Sequence, residues 1–274
     1  MSNEQGKFRL KLLLPDWDVP AHVLACTTLR QSIDPANPYE GFNLASHVGD
    51  KPERVTQNRE LLKLALALPA EPHWLDQVHS DRMLDVDELQ KNAVLRSNTL
   101  QADATFTRTA RQVLVIMTAD CLPVLVTDCK GRGIAAIHAG WRGLARGILR
   151  KSLNAFITAL DIKASECRVW LGPAISQKYF EVGKEVLDTC AKQIPVAPEA
   201  FSQKTNNKYA CDIYHLARLE LQSLGIDAIS GGDQCTYAQE SEYYSHRRHT
   251  HQADIQQDPH CGRMASLIWL SDLI

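Results

Sequence analysis

Three short β-rich runs, Val113–Met117, Val124–Thr127 and Gly133–Ile137, follow one another with only a few residues between them. They form the densest strand region of the chain and put a β core at its centre. Between the second and third runs, Asp128-Cys129-Lys130-Gly131 reads as a hairpin turn. Between the first and second, Asp120-Cys121-Leu122-Pro123 is a different separator, in which Pro123 can end one strand and re-aim the chain. Helical patterning surrounds this centre. Asp50 followed by Lys51-Pro52-Glu53 predicts a capped helix over Pro52–Leu68, and a second runs through Leu144, Leu149, Phe156 and Leu160. Two more are predicted over Val182–Ile194 and Ile213–Leu224, the latter capped by Asp212 and closed by Gly225. His22–Thr28, His73–Val78, Arg168–Leu171 and Leu267–Leu270 read as strands, and Arg247–Arg263 as a polar, histidine-bearing loop. Without internal repeats or low-complexity linkers, this order predicts an α+β fold, a single domain over residues 1–274.

Composition narrows the function classes. A formal net charge of -2 argues against a general nucleic-acid or anionic-membrane binder. The eight cysteines include no CxxC pair and mostly lie inside apolar stretches, which fits reduced core thiols better than a disulfide framework. Lys11–Leu14 is a short apolar stretch soon interrupted by Pro15-Asp16, so no secretory signal is expected, and no run approaches the length of a membrane span. A cytoplasmic enzyme or binding protein is the expectation.

Candidate chemistry sits where apolar runs stop. His79 follows His73–Val78, Cys121 follows Val113–Ala119, and His138 ends Gly133–Ile137. Each alone is more commonly an ordinary core or surface residue. Together, two imidazoles and a thiolate would form a His2Cys metal set with one position open, as a catalytic zinc requires. Thiolate plus imidazole suits zinc or copper. A blue-copper site would gather Cys, His and Met on one loop, and a multi-copper oxidase would need several His-x-His pairs. Only His249-Thr250-His251 exists, so zinc is preferred and copper is the alternative. Asp120, beside Cys121, offers a carboxylate for an outer contact to a ligand or for proton transfer. Gly140 and Gly143 bracket Trp141-Arg142, letting the backbone approach a ligand while Arg142 faces it or the helix that follows.

The order of these segments resembles the YfiH-like laccase-domain family, formerly described as polyphenol oxidases. The residues that carry the resemblance are Asn43-Leu44-Ala45-Ser46-His47-Val48-Gly49-Asp50, Asn58-Arg59-Glu60, Gln77-Val78-His79, Ala102-Asp103-Ala104, Thr118-Ala119-Asp120-Cys121-Leu122-Pro123, His138-Ala139-Gly140-Trp141-Arg142-Gly143, Leu171-Gly172-Pro173 and Tyr244-Ser245-His246-Arg247-Arg248. The resemblance implies a compact fold of mixed sheets flanked by helices, similar to the catalytic domain of cytotoxic necrotizing factors. It implies zinc held by His79, Cys121 and His138. It also implies phosphorolysis of purine nucleosides (adenosine, inosine, guanosine, methylthioadenosine) and deamination of adenosine, with peptidoglycan-precursor editing linked to some members. The family pattern has Tyr where His246 stands and a shorter loop before Gly262-Arg263, so His249–Cys261 is an insertion here.

Within that reading, His79, Cys121 and His138 form the catalytic centre, with Asp120 or His47 as its acid-base partner. Arg59, Arg247 or Arg248 would supply positive charge to phosphate. Asn43 would bond a base edge or cap a turn, Arg142 would face the substrate, and Asp103 takes a structural place. A nucleoside and phosphate are then the partners, with neither nucleic acid nor membrane, for a monomer or small homo-oligomer. Two competing functions share the residues: a Cys-His hydrolase or deamidase with Cys121 as nucleophile and His138 as base, and a metal-stabilised binding partner without turnover.

Overall fold

The structure, a computed structural model, describes residues 10–31, 37–91, 100–252 and 260–272. Along the chain come β1 (Leu12–Leu13), β2 (Val23–Thr28), α1 (Pro52–Ala65), β3 (Met83–Asp85), α2 (Val86–Lys91), β4 (Ala104–Thr107) and β5 (Val113–Thr118). Then follow β6 (Leu122–Asp128), β7 (Ile134–Ala139), α3 (Trp141–Ala145), α4 (Ile148–Leu160), β8 (Cys167–Leu171), β9 (Glu181–Gly183) and α5 (Lys184–Gln193). The last are β10 (Phe201–Thr205), β11 (Lys208–Cys211), α6 (Ile213–Ser223), β12 (Ile229–Gly231), α7 (His246–Gln252) and β13 (Met264–Leu270).

Two sheets stack face to face. The four-stranded sheet, in order β1-β2-β13-β5, is antiparallel throughout. The six-stranded sheet, in order β12-β8-β6-β7-β4-β3, is mixed, with parallel pairs at both edges. Leu114 and Ile116 of β5 and Ile268 and Leu270 of β13 meet Leu125, Ile134, Ala136 and Trp170 of the larger sheet. The alternate residues of the same strands serve the outer faces. Val113, Val115, Leu267 and Trp269 cluster with Leu62 of α1, while Val124, Val126, Ile137 and Val169 cluster with Leu153 and Phe156 of α4 and Leu216 and Leu221 of α6. The central strands are therefore apolar on both faces. This is why they read in the sequence as continuous runs rather than alternating ones. The result is the expected α+β fold.

Several boundaries differ from the sequence expectation, each for a physical reason. The helix α1 ends at Ala65 rather than Leu68, and Asp50 does not cap it: Lys51 is the N-cap, and the Asp50 carboxylate is taken by Asn43 and Arg54. His73–Val78 is extended but forms only isolated bridges, because the Gln77 side chain bonds both the amide and the carbonyl of Met117, at 2.8 Å each, in place of a strand ladder. Pro123 lies inside β6, opposite His138, rather than ending a strand. The helix expected to run on to Leu160 is cut in two at Gly147, whose φ of 80° leaves the right-handed region. Val182 and Gly183 belong to β9, so the following helix begins at Lys184. Asp212 does cap α6, accepting from the His215 amide at 2.9 Å, and Gly225 does close it. Part of the expected loop Arg247–Arg263 is helical, as α7, and residues 253–259 lie outside the described residues.

Candidate metal centre and active-site cavity

The candidate metal-ligating side chains meet at one end of the sandwich. The strand β5 belongs to one sheet and β6 to the other, so the three residues between them form the corner where the chain changes sheet. Asp120 turns that corner with φ 88°, and Cys121 follows. His138 stands on the neighbouring β7, and His79 sits in a loop with φ 58°. One ligand atom from each of His79, Cys121 and His138 lies within 4.8 Å of the other two, and Cys121 Sγ is 3.8 Å from His79 Nε2.

Asp103, just before β4, holds this arrangement together. Its carboxylate accepts from the backbone amides of Val78, His79 and Ser80 at 3.3, 3.0 and 2.6 Å, and from the Ser80 hydroxyl at 2.7 Å. Its Oδ1 also lies 2.8 Å from His138 Nδ1, and its carbonyl accepts from the His138 amide. One fully buried carboxylate thus pins the unusual backbone of His79 and fixes the His138 ring with Nε2 pointing away. Burial pushes the Asp103 carboxyl up, but its hydrogen bonds from His138 and Ser80 and the His138 charge win, and it settles at about 2.

The donor set fits a transition-metal ion. Tetrahedral bonds of the usual Zn–S and Zn–N lengths separate S from N by about 3.6 Å, close to the observed Cys121–His79 spacing. Burial raises the Cys121 thiol, yet the charge and hydrogen bond of His138 overcome it and bring it down to about 6, so the thiolate ligand is available at neutral pH. For His138, burial lowers the pKa while the Cys121 thiolate and Asp103 raise it, to about 9. Cys121 and His138 would hold an ion once the imidazole proton is lost. Gly140 leaves the space open: a Cβ there would lie 2.8 Å from Cys121 Sγ and 3.1 Å from His79 Cδ2. All eight cysteines are free.

The three ligands face a cavity of about 510 Å³, within the range that holds small molecules. Met117, Ile175, Phe180, Ile213 and Trp141 give it apolar walls, and Arg142, Arg247, Arg263, His47, His246 and His260 give it basic ones. Arg247 is fixed by donating to the carbonyls of Tyr179 and Glu181 (3.5 and 2.9 Å), and Arg263 by donating to those of Cys261 and Gly262 (2.6 and 3.1 Å).

A family whose members are described as multi-copper polyphenol oxidoreductase laccase matches residues 24–271 of the chain. A purine nucleoside phosphorylase of Shigella flexneri, YfiH, is 41% identical over 260 residues, covering 95% of this chain and 99% of its own length. The chain belongs to the YfiH-like laccase-domain family. A Haemophilus influenzae protein, also named purine nucleoside phosphorylase, is 38% identical over 95% of this chain and 99% of its own. The crystal structure of Neisseria meningitidis NMB0706 superposes with a TM-score of 0.82 at 39% identity, covering 95% of this chain and 99% of that one.

Not every residue of the family pattern reaches the cavity. His47, Asp120, Arg142 and Arg247 line it beside His79, Cys121 and His138. Asn43, Arg59 and Arg248 do not. The Asn43 amide bonds Asp50, Ala45 and the Arg263 backbone; it shapes the loop beneath Arg263. Arg59 stacks on Trp74, 3.8 Å from the ring centre, and donates to the Leu44 carbonyl. Arg248 is buried and donates to the carbonyls of Thr236, Tyr237 and Tyr243. Asp120 accepts from the Thr236 hydroxyl and the Arg247 amide, each at 2.6 Å. The carboxylate that contacts His138 is therefore Asp103, while Asp120, expected either to make such an outer contact or to transfer protons, stands at the cavity wall.

Arg263 and Phe180 escaped the sequence reading. Arg263 carried a signal, since Gly262-Arg263 resumes the family pattern after the insertion. Phe180 carried none, being one aromatic among several at a turn.

Proposed function

We propose that the chain is a metal-dependent purine nucleoside phosphorylase, with zinc as its ion and adenosine deamination as a second activity of the same site. The observation that carries this reading is the joining of the His79, Cys121 and His138 triad to a cavity whose walls combine apolar side chains with Arg142, Arg247 and Arg263. Two relatives that match nearly the whole chain bear the name purine nucleoside phosphorylase. Zinc suits one thiolate with two imidazoles. Multi-copper oxidation needs several metal centres, and among the described residues this triad is the one cluster of three or more ligand-type side chains.

When bound, the ion supplies Lewis-acid polarisation of a substrate oxygen or water. The protein's residues do the rest. Phe180, Ile175 and Trp141 offer the apolar surface a purine requires. Phosphorolysis joins a phosphate oxygen to the sugar C1′ and breaks the C1′–N bond to the base. The phosphate dianion needs fixed positive charge, which Arg247 and Arg263 supply without reorganising, because backbone carbonyls already hold both. Burial and the Arg263 charge hold the His47 imidazole below its usual range. It is therefore neutral at physiological pH and serves as a proton acceptor, the role deamination needs when water loses its proton. Asp120, fixed by Thr236 and the Arg247 amide, is the second proton-transfer group at the cavity wall.

Product analysis tests the proposal. On protein of measured metal content, adenosine should yield free adenine and ribose 1-phosphate only when phosphate is present, and inosine with or without it. Metal-replete protein that forms neither product would sink the reading. One observation favours a second reading, a Cys-His hydrolase: Cys121 and His138 form a thiolate-imidazolium pair where no metal intervenes. Activity that resists chelators but is lost on thiol alkylation would establish that alternative.

A further inference from the structure

Beside the cavity runs a second groove, of about 430 Å³, with a different chemistry. Lys178, Lys204, Lys208 and Arg247 line it together with His251, against a single carboxylate, Glu181. In a chain of net charge -2, composition alone does not place four permanent cations on one such wall. None of the three lysines has a salt-bridge partner among the described residues. Glu181 is thus the one acid in the lining, set against four cationic side chains.

The two hollows share a wall. Arg247 lines both, held between them by the Tyr179 and Glu181 carbonyls. The segment from Lys178 to Phe180 does the same, with Lys178 in the groove and Phe180 in the cavity. On the far side, Lys204 and Lys208 flank the turn of the β10–β11 hairpin, where Thr205 pairs with Lys208. A ligand whose apolar ring lies against Phe180 and whose tail passes Arg247 arrives among three lysine ammoniums.

We propose that this groove binds the oligophosphate chain of a nucleotide whose nucleoside part occupies the cavity, so that the protein takes purine nucleoside diphosphates as well as free nucleosides. The inference rests on the purine reading of the cavity. A diphosphate matches the groove because its charge is dense and its oxygens accept from ammonium donors at several angles. Lysines on a hairpin, rather than an arginine fork, suit an anion held as a flexible chain.

Calorimetric titration of the metal-replete full chain in phosphate-free buffer tests the assignment, with inosine, inosine 5′-diphosphate and pyrophosphate as ligands. The diphosphate should bind at least about 10-fold more tightly than inosine, the gain expected of one charge-assisted hydrogen bond. The double variant Lys204→Glu with Lys208→Glu should lose that gain and bind inosine as the wild type does. A diphosphate no tighter than inosine, or a gain that survives the double variant, overturns the groove assignment alone. Pyrophosphate that binds as tightly as the diphosphate without sharing its competition against inosine makes the groove a free-anion site and also overturns it. Inosine that fails to bind overturns the purine reading of the cavity, and the nucleotide assignment with it.

Discussion

Asp103 decides the geometry of the candidate metal centre although it is not itself one of the three residues that could hold an ion. Its single carboxylate holds the amides of residues 78 to 80 and the His138 ring at once. Asp103→Asn keeps the shape but removes the charge and an acceptor, and should weaken metal binding by about 10- to 100-fold. A competitive chelator titration against the wild type measures this, and unchanged affinity would remove Asp103 from its place. Glu220 gives a separate test, of stability. It is fully buried on α6, and one oxygen accepts only from the Arg150 amide at 3.4 Å while the other has no partner among the described residues. Burial pushes its carboxyl up to about 7 from a normal 4.5, with the Arg150 amide opposing. A raised folded-state pKa means the protonated form stabilises the fold. That contribution is complete below about pH 4.5 and disappears as pH rises through about 7. Glu220→Gln should therefore match the wild type near pH 5 and exceed it at pH 8.5 by on the order of 2–3 kcal/mol, as read by urea denaturation at both values. Equal stability at pH 8.5 would contradict the shift. Single residues were the least readable part of the sequence. His79, Cys121 and His138 stood out because each follows an apolar run. Arg59 and Arg248 could not be sorted from Arg247, since only the fold shows that Trp74 lies under one and three backbone carbonyls surround the other.

Among the elements, α7 builds part of the cavity. It brings His246 and Arg247 to one wall, and two contacts anchor it: Asp120 accepting the Arg247 amide, and Arg248 gathering the carbonyls of residues 236, 237 and 243. Arg248→Met leaves those carbonyls without their donor and should cost about 2–4 kcal/mol of stability by chemical denaturation. It should leave any bound metal in place, because the carbonyls Arg248 holds belong to Thr236, Tyr237 and Tyr243 and not to His79, Cys121 or His138; loss of metal in a folded variant would argue otherwise. The helix was invisible in the sequence because its seven residues carry no apolar periodicity. The strands from β5 to β7 were readable to within two residues at each end, their burial on both faces leaving unbroken apolar runs. His73–Val78 misled for the opposite reason: it is extended and half-buried, but a side chain, Gln77, supplies the pairing that a ladder would.

The whole molecule places its candidate site where the chain passes from one stacked sheet to the other. That corner brings Cys121 beside the end of β7, and Gly140 keeps it open. Gly140→Ala should fold yet lose most of its bound ion, its Cβ pressing on Cys121 Sγ and His79, as metal analysis of the purified variant would show. The α+β class and the family membership followed from the order of motifs, whereas the stacking of the two sheets did not, since no sequence pattern says which apolar faces meet. No helix among the described residues is long and apolar enough to cross a membrane. One measurement bears most directly on the joining of metal triad to purine cavity: phosphate-dependent adenine release, assayed alongside metal stoichiometry, for the wild type and Cys121→Ala. The wild type should carry one ion per chain and release adenine, and the variant should stay folded while losing both. A folded Cys121→Ala that keeps its metal and full turnover would contradict the assignment.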